Sequence, residues 1–276
     1  MERFSFQPSG AEGCAVTAWL QTQPHMDGCQ PRPLPAVLIC PGGGYAYVSA
    51  REAEPIAKPY FAAGYHVFLL DYTTGEGAKD FTPLWQLACA MRHIRFHADQ
   101  WMLDAKKIAV CGFSAGGHLA ASLGTLYHDE RFLNAVRVRC SVSLKPDQIR
   151  PDAMILGYPV ILADAFAHKG SIELVSGSAE GSEIYSYFGL DQHVDADTPP
   201  AFLWHTASDG SVPVENSLRF AMALSAAKVP FELHVFPTGG HGMSVCTKEV
   251  NSEDPYNARW MEWSIQWLSR TFSFQP

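Results

Sequence analysis

Short apolar runs bounded by Gly and Pro, helical patterns between those runs, and enough chain to bury a large core together predict an α/β fold. Its sheet is expected to be mostly parallel, with helices on both faces and a small cap or loop insertion. The chain has 276 residues, 47% of them hydrophobic, which suits one α/β domain spanning 1–276.

The elements follow in order. A strand is predicted around Cys14–Leu20 and a stiff Pro-rich approach at Gln30–Pro35. The first strong strand is Ala36–Cys40, a continuous apolar run of the kind covered on both faces. A helix over Glu52–Ala63 ends at Gly64, and a strand at His66–Leu70 follows. Pro83–Gln100 reads as a helix, because Leu84, Leu87, Ala88, Met91 and Ile94 recur near helical spacing. Strand Lys107–Cys111, a Gly-Phe-Ser-Ala-Gly turn and a small-residue helix over His118–Tyr127 come next. Later strands are expected at Ala153–Leu156, Ala201–His205 and Glu232–Phe236, with a final helix at Ala258–Ser269. Only one strand is clear between 127 and 200, so a cap or substrate loops are expected there. The pentapeptide FSFQP occurs at Phe4–Pro8 and Phe272–Pro276, too short a match to be a structural repeat.

Composition excludes some functions. The net charge of −8, with Lys and Arg scattered, does not suit nucleic acid or an anionic membrane. Seven cysteines (Cys14, Cys29, Cys40, Cys89, Cys111, Cys140 and Cys246) form no CxxC pair, and several lie in apolar runs, so they read as buried free thiols. The N-terminal segment has no apolar leader pattern, and no run reaches the roughly 18 apolar residues of a membrane span. A soluble protein of a reducing cytoplasm is expected.

The chemistry centres on Gly112-Phe113-Ser114-Ala115-Gly116. A nucleophilic serine must project its Oγ from a tight strand-to-helix turn, and small flanking residues let strand and helix approach closely there. An apolar strand ends just before this motif and a Gly/Ala-rich helix follows, so Ser114 is the expected nucleophile. The helix N-terminus turns partial positive charge toward a developing oxyanion, and the Ala115 N–H is one expected donor. The second should come from Pro41-Gly42-Gly43-Gly44-Tyr45, where Gly43 and Gly44 are the candidates; no GK[ST] follows, which argues against a phosphate loop.

Histidine is the usual base for a serine near neutral pH. Of eleven, His241 lies in a Gly-rich loop between the last strand and the last helix, the final place in the order Ser, Asp, His. His118 reads as packing or as support behind the site, and His205 as orienting the acid loop. His93 and His97 have metal-like spacing, yet without the acid of an HExxH they read as a solvated helix face, and no metal is expected. Asp209 follows a strand and should fix the imidazole tautomer; Asp191, Asp195 and Asp197 precede that strand. Tyr45, Tyr47 and Tyr158 are candidates to line the substrate pocket.

These residues resemble the α/β-hydrolase superfamily from about Ala36 to the C-terminus. More narrowly, PGGGYAYVSAREAEPIA, VFLLDY, GFSAGGHLAAS and SDGSVPVENS resemble bacterial small esterases related to the hormone-sensitive-lipase and acetyl-xylan-esterase groups. In lipase-type relatives the glycine loop begins with His; Pro41 stands there in this chain. The resemblance implies deacylation of acetylated sugars or other short-chain esters, without metal or organic cofactor. The same triad also serves amide hydrolases such as arylformamidases and peptidases, and a non-catalytic binding protein is a third reading.

Overall fold

The computed structural model describes residues 1–23 and 30–275; Cys29, read above as a buried thiol, lies outside them. Eight strands among the described residues form one sheet: β1 Glu2–Phe6, β2 Ala15–Leu20, β3 Leu34–Cys40, β4 His66–Asp71, β5 Leu103–Phe113, β6 Ala153–Gly157, β7 Ala201–Thr206 and β8 Phe231–Phe236. Their order is β1-β2-β4-β3-β5-β6-β7-β8. The strands from β3 to β8 run parallel, while β2 pairs antiparallel with both β1 and β4.

The helices are α1 Glu54–Ala62, α2 Thr82–Phe96, α3 Ala115–Leu126, α4 Glu130–Arg137, α5 Pro146–Ile149, α6 Lys169–Ser176, α7 Glu183–Tyr187, α8 Glu215–Ala226 and α9 Arg259–Thr271. Two cores result, because successive side chains of a strand point to opposite faces. On β3, Ala36, Leu38 and Cys40 join α2, α3 and α8 on one side. Val37 and Ile39 join α1 and α9 on the other. Every residue of α3 is buried, which suits a helix of small and apolar residues wedged against the sheet. No helix among the described residues is long and apolar enough to cross a membrane.

Several boundaries differ from the sequence reading. β1, from the first FSFQP stretch, was not expected as a strand; it pairs at the edge with β2. The Pro-rich approach already belongs to β3 from Leu34, because Pro35 falls at a register shift where its missing N–H is tolerated. The helix expected to Gln100 stops at Phe96, and residues 97–102 reverse into β5 with Met102 at positive φ. His93 and His97 do not form a solvated face: they stack with Phe6 and Trp101 at ring separations of 4.5, 4.2 and 5.0 Å.

The sheet order fixes where a ligand can bind. After β3 the chain moves outward to β4, then returns across β3 to β5, so the strand order reverses between β3 and β5. In parallel α/β sheets, ligands bind beyond the strand C-termini at such a reversal. There β3 runs into Pro41 and the glycines, and β5 runs into Ser114.

Candidate active site

Ser114 caps α3 with φ 53° and ψ −122°, a conformation that non-glycine residues seldom hold. The surroundings enforce it. Its N–H donates to the Gly157 carbonyl at 3.0 Å, and its own carbonyl accepts from the N–H groups of His118 and Val160, each at 3.0 Å. The turn also requires close backbone approach: a Cβ on Gly116 would lie 2.1 Å from the Cys40 carbonyl oxygen.

Ser114 Oγ–H donates to His241 Nε2 at 2.7 Å, and His241 Nδ1–H donates to Asp209 Oδ2 at 2.7 Å. Asp209 follows β7, and its other oxygen accepts the N–H groups of Ser211 at 2.8 Å and Val212 at 2.9 Å. The Asp209 side chain is wholly buried and His241 is partly open to the cleft. Burial alone would raise the Asp209 carboxyl; the imidazoles of His205 and His241 and the Val212 N–H outweigh it and hold it well below the usual carboxylate range. His205 Nε2–H faces two acceptors, the Val212 carbonyl at 3.0 Å and Asp209 Oδ2 at 3.5 Å. His205 thus braces the turn that presents Asp209. Asp191 and Asp195 are engaged elsewhere, with Arg219 and His128.

The glycine loop folds over the serine. The Gly42 N–H is taken by Glu52 Oε2 at 2.8 Å. The N–H groups of Gly43, Gly44 and Ala115 donate to no acceptor among the described residues. Gly43 has φ +123°, and a Cβ there would lie 2.0 Å from the Tyr47 carbonyl oxygen, so only glycine fits. A cleft of about 290 Å³ lies over these groups, its lining including Gly43, Gly44, Ser114, His168 and His241. A larger concavity of about 740 Å³ beside β1 and the end of α2 contains none of them.

The three tyrosines part company. Tyr47 lines the cleft and is 63% exposed. Tyr45 does not line it: buried beneath the loop, it hydrogen-bonds His118 Nδ1 at 2.9 Å. Tyr158 is also buried, donating its O–H to Glu52 Oε1 at 2.6 Å, with its ring edge-on to the His241 imidazole. His118 Nε2–H donates to the Phe188 carbonyl at 2.9 Å, which ties α3 and the glycine loop to the β6–β7 connection. Six lining residues were not assigned to the site from the sequence: Ser49, Arg51, Glu52, His168, Ser211 and Gly242. Glu52 and His168 are partners without a motif; Glu52 sits on a single 3₁₀ turn, where helical periodicity gives no direction.

A serine on a strand–helix turn beside a Gly-rich loop, in series with His and Asp beyond the strand ends, defines an α/β-hydrolase. The BD-FAE family model matches residues 25–224, and the chain belongs to that family. It is 38% identical over 224 residues to endo-1,4-beta-xylanase B of Butyrivibrio fibrisolvens, covering 78% of this chain and 33% of the relative. It is 27% identical over 218 residues to an acetylxylan esterase of Xylanibacter ruminicola, covering 77% of this chain and 42% of the relative. The chain thus spans less than half the length of these curated relatives. Among solved structures, the carboxylesterase Cest-2923 from Lactobacillus plantarum superposes over 100% of both chains with TM-score 0.87 at 28% identity. An acetyl ester-xyloside bifunctional hydrolase from Caldicellulosiruptor lactoaceticus superposes over 95% of this chain and 89% of its own, with TM-score 0.79 at 32% identity.

Proposed function

We propose that this protein is a serine hydrolase that cleaves short-chain carboxylic esters, acetylated carbohydrates foremost, through an acyl-enzyme on Ser114. One observation carries the reading: Ser114, His241 and Asp209 form a continuous hydrogen-bonded chain with 2.7 Å links, beside three unused backbone N–H groups. His241 removes the Ser114 proton as Oγ attacks the ester carbonyl. The oxyanion is held by the Ala115 N–H together with that of Gly43 or Gly44, each such donor contributing about 3–4 kcal/mol to the transition state. His241 then protonates the leaving alcohol, and water activated by the same imidazole releases the acid. Asp209 keeps His241 in the tautomer that accepts at Nε2 and stabilises the imidazolium without taking the proton. The chemistry calls for no metal or organic cofactor.

The cleft volume, at the low end of the roughly 300–1,000 Å³ of small-molecule sites, supports a short acyl group. Its polar wall supports a hydroxylated alcohol, as do the relatives named for xylan chemistry. The cap lies within residues 127–200, where the connection after β6 lends His168 to the cleft. Six free thiols among the described residues support a reducing, cytoplasmic setting. The test compares wild type and Ser114→Ala on aryl acetate, aryl butyrate, acetylated xylo-oligosaccharide and an aryl formamide. Acetyl preference, lost in the variant, is expected. Preference for the formamide would replace the reading with amide hydrolysis, and equal activity in both proteins would end the serine mechanism.

A further inference from the structure

We propose that Glu52 is a positioning residue that locks the oxyanion loop and the loop bearing His241 into one register. The inference rests on the esterase reading above. Glu52 is 3% exposed. Its Oε2 accepts the Gly42 N–H at 2.8 Å, while its Oε1 accepts the Tyr158 O–H at 2.6 Å. Tyr158 Oη in turn accepts the N–H of Ser244, three residues beyond His241, at 3.0 Å. A second tie runs beside the first: Ser244 Oγ–H donates to the Arg51 carbonyl at 2.5 Å.

Two consequences follow from this geometry. Because Glu52 takes the Gly42 N–H, the peptide plane there is fixed, and the next two N–H groups of the loop are the ones left for an oxyanion. Because Tyr158 spans from Glu52 to Ser244, the imidazole cannot drift away from that loop. Burial raises the Glu52 carboxyl against these hydrogen bonds, and such a group is a poor choice for stability alone.

The test uses Glu52→Gln and Tyr158→Phe, singly and together. With its one oxygen on the Gly42 N–H, the carboxamide can only donate to Tyr158 Oη, so the Tyr158 proton, whose oxygen already accepts from Ser244, loses the acceptor that Glu52 provides. Each single variant is expected to lower kcat about 10- to 100-fold, a fraction of the loss of a whole oxyanion donor, with KM changed less than about 2-fold. Affinity for an aryl trifluoromethyl ketone, which forms the oxyanion on Ser114, should fall by the same factor. The double variant should be little worse than the weaker single one, since both act in one chain. A merely structural role would lower the melting temperature and leave kcat per folded site and ketone affinity unchanged, and that result overturns the proposal. If Glu52→Gln fails to fold, Tyr158→Phe decides alone. Absence of acyl transfer by wild type would overturn the esterase reading, and this inference with it.

Discussion

Replacing Asp209 with Asn changes one atom and should reverse the polarity of the whole hydrogen-bonded chain. Asp209 Oδ1 accepts two backbone N–H groups, from Ser211 and Val212. An asparagine must put its carbonyl oxygen there, because an amide NH₂ facing two donors would leave both unsatisfied in a buried site. Its NH₂ then takes the place of Oδ2, 2.7 Å from His241 Nδ1. The imidazole can answer only by accepting at Nδ1, which moves its proton to Nε2. That nitrogen then faces the Ser114 hydroxyl as a donor and can no longer take its proton. In serine proteases the same change lowers kcat about 10⁴-fold with the geometry intact, close to 5.5 kcal/mol, and a loss of that order is expected here. The assay is steady-state hydrolysis of an aryl acetate, with circular dichroism to confirm folding. A folded Asp209→Asn variant within about tenfold of wild type would refute the assigned role of Asp209.

Other expectations follow from the same contacts. Gly43→Ala puts a Cβ into the Tyr47 carbonyl and forces the loop to move, so kcat should fall about 10²–10³-fold with folding retained; steady-state kinetics with a thermal melt checks both. His118 is buried, and burial lowers its pKa from 6.5 to about 4. It therefore stays neutral in the fold while the unfolded chain takes up a proton below about 6.5, so its contribution is complete above that pH and lost as pH falls toward 4. Wild type should lose about 3 kcal/mol more than His118→Gln between pH 7 and pH 4, read from urea unfolding at each pH; parallel curves would contradict the assignment. Tyr47→Ala, at the exposed rim of the cleft, should raise KM for acetylated xylo-oligosaccharide with kcat for aryl acetate nearly unchanged.

What could be read from the sequence was whatever chain order or backbone need declares. Ser114 stands between an apolar strand and a helix of small residues, and Asp209 and His241 follow later strands, so the motif and the order of elements brought the three to the same end of the sheet. The glycine run was legible for a related reason, since Gly43 occupies a conformation that admits no side chain. Side-chain direction was not legible. Tyr45 and Tyr158 lie near strand ends as pocket residues would, yet both point inward to His118 and Glu52. Glu52 was read as a helix start; its burial depends on partners ten residues before it and 106 after it. His168 sits in the β6–β7 connection, where tertiary contacts, not periodicity, place it over Gly44 and Ser114. The edge strand β1 escaped because an edge pairs on one side only and carries weak burial alternation.

The central claim is covalent chemistry at Ser114. Wild type mixed with aryl acetate, quenched within the first turnover and digested for mass spectrometry should carry one acetyl group on the peptide containing Ser114. Ser114→Ala should carry none and should not hydrolyse the ester. An acetyl group on another residue, or hydrolysis undiminished in Ser114→Ala, would contradict the account.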